Sequence, residues 1–303
     1  MIIIVVTVVG FFVVSAVYLI QGTTLVEDRE NKKDDASKNL QLEQPDSNLV
    51  KTDTLKDADY YFDYQAGSLT LNELEVGDRV VDPSWAWEFR TENGYEGACM
   101  ENYVTWIVVA KNHYANLEPH ITLLSEELIG CYLFDNSTNR GTAMGSNNWG
   151  DSGKENATRG LRTWLNSTGI NEGEGFFQAF SENFKNIVVE TGLPNKDWQV
   201  GEKYRSNDRV FIPSTTEMGD TLHTWTYEIG SPYAYFKDAK ISELSAKLCG
   251  DVKWYWIRSP NRFDTYNVRR LSTRDYKMNY ANDDSLAVRP VVNVQADAPI
   301  SKN

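Results

Sequence analysis

Trp254-Tyr255-Trp256-Ile257-Arg258-Ser259-Pro260, together with Val288-Arg289-Pro290-Val291-Val292-Asn293-Val294, decides how this chain is read. Both runs have strand character. In the first, Trp254, Trp256 and Arg258 alternate with Tyr255 and Ile257, the period-2 pattern of a pleated strand. In the second, β-branched residues surround a proline, which has no N–H for a ladder and therefore suits a strand end or edge. Between them, residues 261–287 are rich in Asn, Asp, Arg, Tyr and Ser and poor in aliphatics. The expected plan is a rigid two-strand frame that presents a polar, aromatic loop region.

Outward from that frame, residues 69–296 carry continuous aromatic and aliphatic patterning and have the size of one domain. Val104–Ala110 and Ile121–Leu124 are expected to be neighbouring strands joined by a polar turn. A short helix or turn should open at Ser125-Glu126-Glu127, with its acids at the positive end. Leu161, Trp164 and Leu165 fall on one helical face behind Thr158 as a cap. Phe176, Phe177, Phe180, Phe184, Ile187 and Val188 recur at helical spacing, predicting a second helix. Asp208–Ile212 is expected to be a strand, and Ser214-Thr-Thr-Glu217 a capping box that starts another helix. Mixed strands and helices without regular β-α-β alternation predict an α+β fold.

Residues 2–20 carry no charge, and 19 residues at helical rise cover about 28 Å, nearly a bilayer core. An uncleaved anchor and a cleaved signal peptide both fit, the latter through Val14-Ser15-Ala16. Residues 21–68 are polar without helix or strand period and are expected to form a linker, with residues 297–303 as a tail. The formal charge is −13. Residues 27–68 hold 11 acids and 6 bases, so the remainder is acidic too. An acidic domain without a basic stripe argues against nucleic acid. Three cysteines, Cys99, Cys131 and Cys249, allow at most one internal disulfide.

No motif marks a catalytic group. Ser214 lies between a strand and a helix, but Pro213 precedes it and the G-x-S-x-G glycines are absent, so it reads as a cap. His113, His120 and His223 lack zinc-ligand spacing. No catalytic residue, metal site or cofactor is therefore expected.

The motif set Val104-Thr-Trp-Ile-Val, Leu123-Leu-Ser-Glu126, Leu161–Asn166, Asp208–Ser214 with Glu217, Trp256–Pro260 and Val288-Arg-Pro290 resembles a family of bacterial, mainly Gram-positive, extracellular domains of unknown function. That resemblance implies a C-type-lectin-like fold, with short helices packed on small antiparallel sheets. It also implies kinship to sulfatase-modifying and retroelement-diversified binding domains. The calcium-lectin triplets Glu-Pro-Asn and Trp-Asn-Asp are absent, and only Cys249 stands in the C-terminal half, so neither calcium-dependent sugar binding nor cysteine oxidation is implied. Trp164, Trp256, Arg258 and Arg289 are expected to be buried and partnered.

The reading that follows is a surface-displayed binding module, single-pass on the outer side of a membrane or secreted. Its expected ligand is a surface glycan or protein, met by Arg262, Asp264, Tyr266, Arg274, Tyr276, Asn279 and Tyr280. Tyrosine and arginine among small polar residues suit an adaptable recognition surface. A cell-wall or glycan-acting enzyme and a structural adhesion component are the alternatives.

Overall fold

A computed structural model describes residues 58–83, 103–115, 117–136, 143–152, 160–167, 175–197, 200–220, 230–248, 250–272 and 275–303. The expected anchor or signal segment 2–20, most of the expected linker, the Thr158 cap, His223, Cys99, Cys249 and Arg274 lie outside them.

The strands, in chain order, are β1 (Tyr60–Phe62), β2 (Leu69–Thr70), β3 (Arg79–Asp82), β4 (Val104–Lys111) and β5 (His120–Ser125). Two short helices follow, α1 (Leu161–Asn166) and α2 (Glu182–Ile187). Next come β6 (Thr191–Lys196), β7 (Lys203–Asp208), β8 (Val210–Phe211), β9 (Lys247–Leu248), β10 (Asp251–Val252), β11 (Tyr255–Pro260), β12 (Asn267–Leu271), β13 (Tyr276–Tyr280), β14 (Val291–Gln295) and β15 (Pro299–Lys302). Strands with few short helices make an α+β fold. Eight strands form one sheet in the order β2-β15-β1-β3-β4-β5-β14-β8, with β1 and β3 parallel. It is accompanied by the three-stranded sheet β11-β12-β13 and two hairpins, β6-β7 and β9-β10. The expected pattern of small antiparallel sheets is thus replaced in part by one large mixed sheet.

Burial explains why the middle of that sheet is so apolar. Every residue of β5 is buried, and Trp106 through Ala110 in β4 are buried as well, so both faces are covered. A strand covered on both sides reads as a continuous apolar run instead of an alternating one. Phe180 and Phe184 stack at 4.6 Å between ring centroids, and Phe184 stacks on Trp106 at 6.2 Å. The predicted helix over the phenylalanines is broken into a 3-10 turn at Phe176–Ala179 and then α2, which Ser181 caps through the Phe184 N–H at 3.2 Å. α1 buries Leu161, Trp164 and Leu165, as the spacing predicts, and begins after Gly160.

Three expectations need correcting. The Trp254–Pro260 and Val288–Val294 runs do not pair with each other as a frame. β11 belongs to the three-stranded sheet, where it pairs with β12, and β14 lies between β5 and β8. Beside them Ala287 links the two runs, its carbonyl accepting from Trp256 N at 3.0 Å and its N–H donating to Trp254 O at 2.9 Å. Asp208–Ile212 is two strands in two sheets, broken at Arg209. No helix opens at Ser125-Glu126-Glu127: Ser125 ends β5, and Glu126 turns outward to pair with Arg79 at 2.5 Å.

The sheet also extends past both expected domain limits. β1 lies inside the 21–68 range read as linker, and β15 inside the tail; they pair antiparallel, Phe62 opposite Ile300, and both side chains are buried. Three residues flanked by acids, Tyr60-Tyr61-Phe62, are too short a run to show a period. A chain truncated to begin at Leu69 loses β1 and the Phe62 ring. It should melt about 10 °C below one beginning at Ala58, since deleting a core phenylalanine costs about 3–5 kcal/mol. Equal melting temperatures by calorimetry would show that β1 is dispensable.

Candidate recognition surface

The three-stranded sheet positions most of the residues expected to meet a ligand. β12 and β13 form a hairpin in register from Leu271↔Tyr276 to Asn267↔Tyr280. Because side chains alternate, Tyr276, Met278 and Tyr280 share one face. Exposure along that face rises from 9% at Tyr276 to 46% at Met278 and 47% at Tyr280. The hairpin therefore starts in the core and ends in water. On its other face, Arg270 lies 4.3 Å over the Trp254 ring and Lys277 5.5 Å over the same ring.

The loop ahead of β12 is fastened by one carboxylate. Asp264 accepts from Tyr266 N at 3.1 Å, Asn267 N at 2.7 Å and Asn267 Nδ2 at 2.8 Å, and also from Asn261 Nδ2. Asn147, from a distant loop, directs its Nδ2 at the carbonyls of Asn261, Asp264 and Asn267, at 2.8–3.1 Å. Gly145 keeps that loop close: its φ is +79° and a Cβ there would collide with the Asp135 carbonyl, so other residues are excluded. Clamped in this way, the loop holds Phe263 67% exposed, with the Arg262 guanidinium 4.5 Å over its ring. The Tyr266 and Tyr280 rings lie 5.8 Å apart.

The seven expected contact residues thus divide. Arg262, Tyr266 and Tyr280 reach the surface. Asp264 fastens the loop. Asn279 donates to Asp283, which also accepts from Ser285 N and Oγ, so it holds the next turn. Burial alone would raise the Asp283 carboxyl, but the Ser285 and Asn279 hydrogen bonds bring it below the ordinary value. Tyr276 is too buried to serve as an anchor, and Arg274 lies outside the described residues. Phe263 and Met278 are exposed as well, and neither was among the expected contact residues. The alternation of β13 could have flagged Met278.

A buried ion pair fixes this sheet against the large one. Arg258 on β11 and Glu217, in the turn after β8, are 2% and 1% exposed. Arg258 Nη1 lies 2.5 Å from Glu217 Oε2, and Nη2 lies 2.6 Å from Oε1. Nη1 also donates to Ile212 O at 2.9 Å, and the Arg258 N–H to Pro213 O at 3.0 Å. The capping box is real although a turn replaces the predicted helix: Ser214 N donates to Glu217 Oε2 at 2.9 Å and Glu217 N to Ser214 Oγ at 3.2 Å. Ser214 is a buried cap. Tyr114 donates to Glu217 Oε1 at 2.9 Å, and its hydroxyl shares a 2.8 Å hydrogen bond with Tyr233. Burial pushes the Glu217 carboxyl up, yet the charge and hydrogen bonds of Arg258 outweigh it and hold the net value low. Burial also lowers His113, which packs edge-on to Tyr114 and Tyr233 at 4.8 and 4.7 Å. His120 is lowered by burial too. Its Nε2 accepts from Tyr114 N at 3.3 Å, which leaves Nδ1 to donate to Glu118 O at 3.0 Å.

Other ordered carboxylates are engaged as well. Asp208 accepts from Arg162 Nε at 2.6 Å, Trp149 Nε1 at 3.0 Å and Ser206 Oγ at 2.7 Å. Among the described residues no group of three or more His, Cys, Asp and Glu could hold a metal ion, and no helix is long and apolar enough to cross a membrane. Cys131 is a free thiol, half-buried, and burial raises its pKa.

Glu217→Gln should destabilise the fold by about 3–5 kcal/mol, because it leaves a buried guanidinium uncompensated. Urea unfolding would measure this, and a loss under about 1 kcal/mol would contradict it. The pH dependence has a definite sign. His113 and His120 are depressed from the ordinary 6.5, so the unfolded chain binds their protons first and stability falls as pH drops below that value. Glu217 is depressed from 4.5, so its contribution is present above that value and is lost as pH falls through its lower folded pKa. Two successive losses are expected on acidification, and a flat profile between about pH 7 and about pH 5 would contradict the histidine part.

A family model described as "Domain of unknown function (DUF6273)" matches residues 119–296. No curated protein and no solved structure matches the chain. The matched span runs from the β4–β5 turn to the end of β14 and includes Glu217, Arg258 and the β12–β13 hairpin. The chain belongs to the DUF6273 family of domains of unknown function.

Proposed function

We propose that this chain is an extracellular recognition module, held to the outer side of a bacterial membrane by residues 2–20 or secreted after their removal. It binds a surface glycan or protein through the face made by Arg262, Phe263, Tyr266, Met278 and Tyr280. The observation that carries this reading is the combination of exposed aromatic rings and a clamped backbone. Phe263 and Tyr280 are 67% and 47% exposed on a loop and hairpin fixed by Asp264, Asn147 and the β12–β13 register. Aromatic and arginine side chains on a preorganised backbone supply contact area at low ordering entropy, which is what binding anchors need.

The lectin-like fold belongs to the same proposal. It is supported by the order of the sequence motifs and by short helices set on antiparallel strands. Kinship to sulfatase-modifying and retroelement-diversified domains rests on those motifs as well. Binding is favoured over glycan hydrolysis because Glu217, Asp208, Asp264 and Asp283 are all committed to holding the fold. None of the four is poised to exchange a proton with a substrate.

Phe263→Ala and Tyr280→Ala should each change stability by no more than about 1 kcal/mol, as exposed positions do. Each should nevertheless weaken capture of a ligand from cell-envelope extract, or on a glycan array, by more than about 1 kcal/mol. Unchanged capture by both variants would remove the face from consideration. For location, protease added to intact protoplasts should release a fragment that begins between residues 21 and 57. Full protection would place the domain on the other side of the membrane.

A further inference from the structure

An opening lies at the end of β14 away from its junction with β11. A cleft of about 640 Å³ is lined there by Thr70, Asn72, Asn112, Glu118, Pro119, Gln295, Ala296 and Asp297. This volume is within the usual range for small-molecule sites, about 300–1,000 Å³. Three chain segments meet to form it, and backbone hydrogen bonds tie them together. Asn72 N donates to Ala296 O at 2.8 Å, Ala296 N to Pro119 O at 3.0 Å, and Asn112 N to His120 O at 2.9 Å. Asn112 has φ +51°, the one positive value for a non-glycine among the described residues, and its Oδ1 accepts from His120 N at 3.0 Å. That bond fixes the amide and leaves Nδ2 as a donor.

The chemistry of the lining selects its occupant. Three amides and a hydroxyl can pair with the hydroxyls of a polyol. Glu118 and Asp297 are the charged groups among the described lining residues, and both are acids. Lys111 Nζ donates to the Asn72 carbonyl at 2.9 Å and keeps its charge, so the two carboxylates outnumber it and leave the cleft net negative. Two carboxylates beside neutral hydrogen-bonding groups favour a cation that also carries hydroxyls. We propose that this cleft binds an amine-bearing saccharide, with its ammonium toward Glu118 and Asp297 and its hydroxyls toward Asn72, Asn112 and Gln295. The site shares no residue with the aromatic face and does not depend on it.

The test titrates the full chain in detergent micelles at low salt with glucosamine, N-acetylglucosamine and glucose, read by saturation-transfer NMR. Glucosamine should bind saturably and at least about fivefold more tightly than the other two, the scale of an exposed charge pair. Asp297→Asn and Glu118→Gln should each remove most of that preference, with melting temperature unchanged because both residues are exposed. Phe263→Ala should leave glucosamine binding intact. Equal binding of the three sugars, no saturable binding, or loss of binding in Phe263→Ala in place of the acid variants would each overturn the proposal.

Discussion

Two charges buried together set the architecture of this domain. Taking Arg258 and Glu217 out of water is unfavourable unless each finds the other and the remaining donors and acceptors are also satisfied. The chain meets that demand from three segments: Arg258 on β11, the Tyr114 hydroxyl from the β4–β5 turn, and the Ile212 carbonyl, Ser214 N–H and Glu217 after β8. Few relative positions of these segments satisfy every group at once. The pair therefore specifies how the three-stranded sheet sits on the eight-stranded one. Beside it, Thr215 N donates to Ser259 Oγ at 2.9 Å, a further connection between the same two segments. Arg289 makes a second joint, donating to the carbonyls of Ser125 at 3.0 Å and Leu244 at 3.1 Å and lying 5.7 Å over the Tyr255 ring.

That joint connects packing to function. β11 is pinned on both faces, so β12 and β13 grow from a fixed base. The loop before β12 inherits this rigidity and adds its own clamp in Asp264. In the proposed function, rings presented on such a backbone lose little freedom on meeting a ligand, and affinity then depends on their shape and exposure. Glu217, Asp208, Asp264 and Asp283 are engaged in holding that frame together.

Much of this was legible in the residues. The β4 and β5 strands, the apolar face of α1, the Ser214–Glu217 capping box and the burial of Trp256, Arg258 and Arg289 follow from period, spacing and residue type. Other features were not, for physical reasons. β1 and β15 are too short to show a period, and they gain their stability from long-range pairing across the chain. The strand-like runs around Trp256 and Val292 carry no mark of their partners, so their assignment to separate sheets could not be read. Tyr114 and Tyr233 are 119 residues apart, and their meeting at Glu217 is a tertiary fact. Composition marked residues 261–287 as polar and aromatic. It could not separate Tyr280, which faces water, from Tyr276, which closes the core, because that depends on where along β13 the sheet leaves the interior.

The central claim is that Glu217 and Arg258 act as one unit. A double-mutant cycle over Glu217→Gln, Arg258→Met and the combined variant, followed by urea unfolding, measures this directly. If the pair is the joint, the double variant should be less destabilised than the sum of the single ones by about 2 kcal/mol or more. Effects that add to within about 0.5 kcal/mol would show that the two residues contribute separately, and would contradict the account.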